Sequence, residues 1–224
     1  WMGLVASTWR HSIGNMATTI SDLSLLCQME VEKGTPTDKT IMRLKKIQEI
    51  VDEIQEIPML PLSFEDNTAP INICQLVRDR INQFKSKKQR YKDFEFVMDF
   101  EIDELSEVRA SPEWLRRILD ILIDNSRDAM KNSTVKKIKT VVRAKDKGVE
   151  ILVSDSGTGI PEQIRPILFK RPVEKKKGEK GSGLGLFLAN TIIQVYKGCL
   201  AIESTGSDGT TMAMWLPLLN NQDV

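Results

Sequence analysis

The sequence lacks the features that mark several large classes of protein. No apolar run approaches the roughly 18 residues of a membrane span, so we expect no membrane contact by this fragment. The 32 Lys and Arg residues nearly balance the 31 Asp and Glu residues, leaving a net charge of +1. This balance gives no reason to expect nucleic acid as a partner. We find no internal repeat and no signal peptide.

Cysteine is scarce, and its spacing does not fit a metal site. Cys27, Cys74 and Cys199 lie far apart in apolar surroundings. We therefore predict reduced thiols in the core of a cytosolic protein. Residues 1–4 have the look of a cut end, so we expect upstream domains in the full-length protein.

Residues 1–58 predict an antiparallel helical hairpin. Apolar residues recur at helical spacing from Val5 to Cys27 and again from Ile41 to Ile54. Residues 33–36 end the first pattern and Pro58 ends the second. A lone hairpin leaves much of its apolar surface in water, so we predict a homodimer that forms a four-helix bundle. Residues 59–66 are predicted to be a linker.

The chain has a single histidine, His11. It lies about 200° from the core positions Trp9 and Ile13 on a helical projection, so it faces away from the apolar stripe. Asn15 follows on the same outward face. An exposed imidazole on a rigid helix can act as a nucleophile. The alternative is an inert surface or core histidine.

Residues 67–219 predict a second domain of mixed α and β structure, followed by a tail at 220–224. The predicted fold class is α+β, with an N-terminal helical hairpin followed by an α/β sandwich whose mixed sheet carries helices on one face. The expected helices and strands follow from alternating or helical apolar patterns and from Ser111 as a helix N-cap before Pro112. They are helices at 74–84, 114–130 and from 184, and strands at 70–73, 94–100, 108–110, 135–144, 150–154, 200–203 and 210–216.

The most informative stretch runs from Ile151 to Leu186. A buried strand leads into Asp155 and the glycines 157 and 159, and a second glycine cluster at 181–185 opens an apolar helix. A glycine-rich loop that enters a helix N-terminus suits phosphate. A carboxylate placed for a polar ligand edge and a phosphate cradle together suggest a nucleotide pocket. The alternative is a pair of glycine-rich surface turns.

Asn125 lies in the apolar segment 121–129, whose composition argues for burial. A buried amide needs a partner. Its carbonyl oxygen can bind a hard cation such as Mg²⁺, which prefers oxygen ligands. The alternative is an asparagine that caps the end of the helix.

These segments resemble the N, G1 and G2 boxes of the superfamily that holds gyrase B, heat-shock chaperone ATPases, histidine kinases and MutL. Residues 167–169 look like the kinases' F box, and Gly209-Thr210 looks like the closing Gly-Thr. The resemblance implies that Asp155 binds the adenine amino group, that Asn125 holds Mg²⁺ and that Thr210 supports the adenine. The residues it implies for ATP binding are Asn125, Asp128, Asp155, Gly157, Gly159, Ile160, Gly181, Ser182, Gly183, Leu184, Gly185, Leu186 and Thr210.

The hairpin ahead of this domain resembles the dimerisation and phosphotransfer module of a sensor histidine kinase. The resemblance implies that His11 is the phosphoacceptor, and Asn15 matches a polar residue that such kinases carry. Two positions depart from the pattern. Ser12 stands where many kinases have an acid, and Ile121 stands where kinases usually have Asn and the ATP-hydrolysing branches have Glu.

We therefore predict a cytoplasmic histidine kinase core, part of a larger sensor, that uses ATP and Mg²⁺. It phosphorylates His11 and passes the phosphate to an aspartate on the receiver domain of a response regulator. The departures at Ser12 and Ile121 keep a second hypothesis open, a non-catalytic dimer that binds nucleotide and regulates a partner. A protein serine kinase with the same ATP-binding fold is a third.

Overall fold

A computed structural model describes residues 2–34, 37–56, 68–171, 173 and 183–219 of the chain. It describes only the backbone for residues 2–13, 15, 49, 52–56, 88 and 89. The chain divides into two compact units, residues 1–61 with 175–182, and residues 62–174 with 183–224. The predicted linker at 59–66 and the tail at 220–224 lie outside the described residues.

The first unit contains a helical hairpin made of α1 (Met2–Glu32) and α2 (Asp38–Glu56). Gly34 has φ +67°, the left-handed conformation that commonly ends a helix. Thr40 accepts a hydrogen bond from the backbone N–H of Thr37 at 3.0 Å, so it helps to fix the start of α2. Glu30 accepts hydrogen bonds from Thr40 and Arg43 and thereby ties α1 to α2. Both predicted helices are confirmed.

The hairpin leaves large apolar side chains in water. Cys27 and Ile50 are buried. Among the hairpin side chains that the structure describes, seven other apolar ones are at least two-fifths exposed: Leu25, Leu26, Met29, Val31, Ile41, Met42 and Leu44. Exposed apolar surface of this extent commonly marks an interface with another chain.

The second unit is built on a mixed sheet of five strands in the order β2-β4-β5-β7-β6. β2 runs parallel to β4, and the other neighbours are antiparallel. A separate antiparallel pair joins β1 to β3. The strands are β1 (Ala69–Asn72), β2 (Glu95–Glu101), β3 (Glu107–Ala110), β4 (Lys137–Lys145), β5 (Gly148–Asp155), β6 (Cys199–Gly206) and β7 (Gly209–Pro217).

The helices of this unit are α3 (Ile73–Ser86), α4 (Lys88–Tyr91), α5 (Pro112–Ala129) and α6 (Gly185–Val195), with a short 3-10 helix at Glu162–Ile167. Ser111 caps α5 by accepting a hydrogen bond from the backbone N–H of Trp114, and Pro112 takes the first turn, as predicted. The sequence patterns did not predict α4 or the 3-10 helix, because each is too short to show a periodic apolar face.

One face of the sheet packs against α3, α5 and α6. Val142, Ile151 and Met214 are register neighbours on β4, β5 and β7, and each is fully buried on this face. On the opposite face Arg143 and Lys145 contact Glu150, which is buried between them. The predicted α+β class, with a mixed sheet and helices on one face, is confirmed.

Cys27 and Cys74 are buried as predicted, but Cys199 is exposed, because it begins the edge strand β6. No described helix is long and apolar enough to span a lipid bilayer.

The turn between β4 and β5 generates a prediction about packing. A Cβ atom at Gly148 would lie 2.4 Å from ring atoms of Trp215 and 2.5 Å from the carbonyl oxygen of Leu216. We expect Gly148→Ala to lower the free energy of unfolding by about 1–3 kcal/mol, as overpacking does. Urea denaturation measures it. Gly206→Ala is the control, because a Cβ atom there meets nothing within 4 Å. Equal stability of the two variants would contradict the prediction.

Candidate functional site

The site is organised by the Asp155 carboxylate. Asp155 ends β5 and faces Thr210 on β7 in the sheet register. Its Oδ1 accepts hydrogen bonds from the backbone N–H of Gly157 at 2.9 Å and of Thr210 at 3.2 Å. These two bonds fix one carboxylate oxygen and join the first glycine loop to the last strand of the chain.

Burial raises the pKa of the Asp155 carboxyl above its ordinary value. Hydrogen bonds from Gly157, Thr210 and the Ser126 hydroxyl oppose this shift without cancelling it. The half-buried carboxylate therefore costs free energy in the folded state, which is common at functional sites.

The first glycine loop has no room for larger residues. A Cβ atom at Gly157 would lie 2.8 Å from the Cβ of Ala129 on α5. Gly159 has φ +76°, and a Cβ atom there would lie 2.2 Å from the carbonyl oxygen of Gly206. Beyond the glycines, the Ile160 N–H donates to Thr205 Oγ1 at 2.8 Å. Sterics thus hold this loop between the end of α5 and the β6–β7 hairpin.

The second glycine cluster is described from Gly183 onward, and Gly181 and Ser182 lie outside the described residues. Gly183 has φ +69°, and its carbonyl oxygen accepts from the Val173 N–H at 3.2 Å. Leu184 is buried and precedes the first residue of α6, while Leu186 is half-buried within it. The cluster therefore leads directly into a helix N-terminus, as predicted.

The structure explains why Ile121 departs from the kinase pattern. Ile121 is 9% exposed, and its Cγ2 would lie 3.1 Å from a Cβ atom at Gly185. The isoleucine side chain therefore packs against the start of α6 and fills the space next to Gly185. A polar side chain at 121 would have to be buried in this contact.

The expectation that Asn125 is buried is wrong. Asn125 and Asp128 are both exposed, because the last turns of α5 present this face to solvent. Beside them, Arg127 donates to Asp124 at 2.8 Å and to Asp128 at 2.7 Å. Tyr91 donates to Asp124 at 2.7 Å. The amide oxygen of Asn125 is therefore open to a ligand from the solvent side.

Two segments that are distant from each other in sequence converge on α5. Gly185 approaches Ile121, the Asp155 carboxylate is hydrogen-bonded by Ser126, and Gly157 lies against Ala129. Asn125 occupies the turn between the first of these contacts and the last. The first glycine loop and the described start of α6 therefore both meet the helix that carries Asn125.

Sequence reasoning missed Ser126 and Thr205. The Thr205 hydroxyl lies 3.0 Å from that of Thr210 and bridges the loop to the hairpin. Ser126 could have been found from its position directly after Asn125, whereas no feature of the sequence marked Thr205. For His11 and Asn15 the structure describes only the backbone, within α1.

Comparison with known proteins identifies this arrangement. Residues 110–220 match the family of histidine kinase-, DNA gyrase B- and HSP90-like ATPases. The chain is 33% identical over 180 residues to the signal transduction histidine-protein kinase ArlS of Staphylococcus aureus (strain USA300), covering 77% of this chain and 38% of that protein. The chain thus spans well under half of the length of this relative.

Solved structures agree with this result. The nucleotide-free catalytic domain of histidine kinase ThkA is 25% identical with a TM-score of 0.57, covering 67% of this chain and 95% of that chain. ThkA in complex with response regulator TrrA is 18% identical with a TM-score of 0.68, covering 96% of this chain and 62% of that chain. The second likeness concerns the fold alone.

Residues 110–220 therefore belong to the family of histidine kinase-, DNA gyrase B- and HSP90-like ATPases. Within that family, the chain is homologous to sensor histidine kinases of two-component signal transduction.

The raised pKa of Asp155 generates a stability prediction. An asparagine at 155 can still accept both backbone hydrogen bonds and carries no buried charge, so we expect Asp155→Asn to be at least as stable as the parent at pH 7. Because the folded state holds the Asp155 proton more tightly than the unfolded state, this group makes stability fall as pH rises from 3.8 to the raised pKa. The Asp155→Asn variant should lack this part of the dependence of stability on pH.

Urea denaturation at pH 4 and pH 7 measures both effects. Asp99→Asn, at an exposed carboxylate on β2, is the matched control. A clear loss of stability in Asp155→Asn at pH 7, or an unchanged dependence on pH, would show that burial does not dominate at this carboxyl.

Proposed function

We propose that the chain is the catalytic core of a histidine kinase, which binds Mg²⁺–ATP and transfers the γ-phosphate to His11. The observation that carries this proposal is the convergence of the Asp155 loop and the Gly183–Gly185 turn on α5. The family match and the homology to ArlS support it. Residues 1–58 are the dimerisation and phosphotransfer module, and residues 67–219 are the ATP-binding domain.

Asp155 is proposed to recognise the nucleotide base. Its Oδ1 is held by two backbone N–H groups, so the other oxygen is oriented to accept a hydrogen bond from the adenine amino group. Thr210 fixes this carboxylate and is itself buried. Gly157, Gly159 and Ile160 form the adjoining wall, and the close packing of the two glycines against Ala129 and Gly206 holds its backbone in place.

The phosphates are proposed to lie at the N-terminus of α6. The first N–H groups of a helix lack intrahelical acceptors and favour anions. The residues proposed to surround the triphosphate are Gly181, Ser182, Gly183, Leu184, Gly185 and Leu186.

Asn125 is proposed to hold Mg²⁺, and the residues present fit this ion. The amide oxygen is exposed and is the hard donor that Mg²⁺ prefers. The described residues contain no group of three or more His, Cys, Asp or Glu side chains that could hold a metal ion. Such a sparse donor set is typical of Mg²⁺, which usually keeps several waters and binds nucleotide phosphates. When bound, the ion neutralises charge on the transferring phosphate.

In phosphoryl transfer, positioning and charge neutralisation contribute more than covalent catalysis. His11 is proposed to attack the γ-phosphate through a ring nitrogen, with ADP as the leaving group. Many kinases have an acidic residue at the position of Ser12, and its carboxylate can accept the imidazole proton. The Ser12 hydroxyl cannot replace that carboxylate, so another group must accept the proton. From phospho-His11, the phosphate is proposed to pass to an aspartate of a response-regulator receiver domain. The neighbour ThkA was solved in complex with a response regulator, which supports this partner.

One observation argues against efficient ATP hydrolysis. Ile121 offers no carboxylate to activate water, and its packing against Gly185 leaves no polar group at that position. This favours transfer to a protein acceptor over an ATP-hydrolysing machine. It also keeps the non-catalytic, nucleotide-gated dimer as a second candidate function, because the usual polar contact next to the metal is missing.

The first experiment tests His11 as the phosphoacceptor. We expect the parent chain, incubated with γ-labelled ATP, to carry phosphate that is labile in acid and stable in base. His11→Gln should abolish labelling while nucleotide affinity stays unchanged, because none of the residues proposed to bind the nucleotide lies in α1 or α2. Ser12→Ala is the matched control and should keep the label.

Wild-type labelling of His11→Gln would refute the assignment of His11. Nucleotide binding without any phosphohistidine in the parent would favour the non-catalytic dimer. Acid-stable phosphate on a partner would favour a protein serine kinase.

The second experiment tests the homodimer. Ile41 and Leu44 lie three residues apart on one face of α2, and each is 54% exposed. Burying a leucine or isoleucine contributes about 1.5–3 kcal/mol, so we expect Ile41→Asp combined with Leu44→Asp to weaken the dimer at least about 100-fold. Analytical ultracentrifugation measures it, with Lys45→Glu as the exposed control. A dimer of unchanged affinity would exclude this face from the interface.

A further inference from the structure

Asp128 is a carboxylate on the helix that carries Asn125. The two residues are three positions apart on α5, so their Cβ atoms are helical neighbours about 5–6 Å apart. Both are exposed. At about 100° per residue, Asp128 also lies within about 20° of the direction of Ile121, whose side chain packs against the start of α6. Asp128 therefore belongs to the face of α5 on which the phosphate cradle lies.

One oxygen of Asp128 is free for a ligand. Arg127 donates to Oδ1 through Nη2 at 2.7 Å and through Nε at 3.1 Å. Within the described part of the chain, Oδ2 accepts no hydrogen bond. The guanidinium thus fixes the orientation of the carboxylate while leaving its second oxygen directed elsewhere.

The neighbouring acid Asp124 differs in this respect. Its Oδ1 accepts from Tyr91 at 2.7 Å and from Arg127 at 2.8 Å, and Arg90 lies 3.3 Å away. Tyr91 is 4% exposed and packs edge-on against Phe84, so this contact anchors Asp124 to the core. Asp124 therefore has a structural role, and Asp128 is the more available carboxylate.

A free carboxylate next to a triphosphate is unfavourable unless a cation lies between them. Like charges repel, and a nearby divalent cation reverses the sign of the interaction. Carboxylate and amide oxygens are both ligands that Mg²⁺ accepts. At Ile121, by contrast, no donor is available.

We propose that Asp128 is a second Mg²⁺ ligand, acting with Asn125 either directly or through a bound water. Asp128 adds a carboxylate about one turn beyond Asn125, and Arg127 is the positioning residue that orients it. This inference rests on the proposed binding of Mg²⁺–ATP by this domain. It implies that the effect of Asp128 on nucleotide affinity depends on the metal. If Asp128 only paired with Arg127, the effect would be the same with and without the metal.

The experiment measures nucleotide affinity with and without the metal. Binding of a fluorescent trinitrophenyl-ATP to the full chain is titrated in Mg²⁺ and in EDTA, so that no catalytic turnover is needed. We expect Asp128→Asn to reduce the affinity gain given by Mg²⁺ about 10-fold, in the range typical of altered metal surroundings. In EDTA the variant should bind at least as tightly as the parent, because a repulsive charge is gone.

Three further measurements make the result decisive. Asp128→Glu, which keeps a carboxylate, should retain most of the gain. Glu113→Gln, an exposed acid at the other end of α5, should leave the gain unchanged. Binding of Mn²⁺ to the complex of protein and nucleotide is followed by electron paramagnetic resonance. We expect its affinity to fall in Asp128→Asn but not in the other two variants.

Equal changes in Mg²⁺ and EDTA, or none in either, would overturn the role of Asp128 and leave the proposed function standing. Failure of the parent to bind nucleotide in both buffers would overturn the proposed function and this inference together.

Discussion

The structure of the ATPase domain depends on the packing of α5. This helix buries Leu115, Ile118 and Leu122 against the rest of the domain. Its last three turns also receive the two glycine segments, through Ile121 and Ala129. Displacement of α5 would separate these segments, so the core that stabilises the fold also assembles the proposed nucleotide site.

Close packing and charge make separate contributions to this site. At Gly157, Gly159 and Gly185 a side chain would collide with a neighbouring element or press closely against it, so these positions set how near the backbone segments lie. The site also contains a half-buried charge. The backbone N–H groups of Gly157 and Thr210 donate hydrogen bonds to the Asp155 carboxylate, whose charged form is disfavoured by burial. Such a balance keeps a charged group ready for a ligand at some cost in stability.

The two units differ in how fully they bury their apolar side chains. The sheet domain buries a continuous core on one face of its sheet, whereas seven large apolar side chains in the described part of the hairpin are exposed. The same contrast fits the division of labour proposed for them. A domain that binds a small molecule needs a rigid scaffold, and a hairpin that associates with a second copy needs an apolar surface for its partner.

The sequence by itself determined the helices and strands with strong periodicity, the fold class and the order of the glycine boxes, because these depend on local patterns. It did not reveal that Asn125 is exposed, that Cys199 lies on an edge strand, or that Ser126 and Thr205 join the site. Those features depend on which distant elements meet. Only the tertiary structure decided that Ile121 packs against Gly185, because the space at that point is set by two helices separated by more than 50 residues.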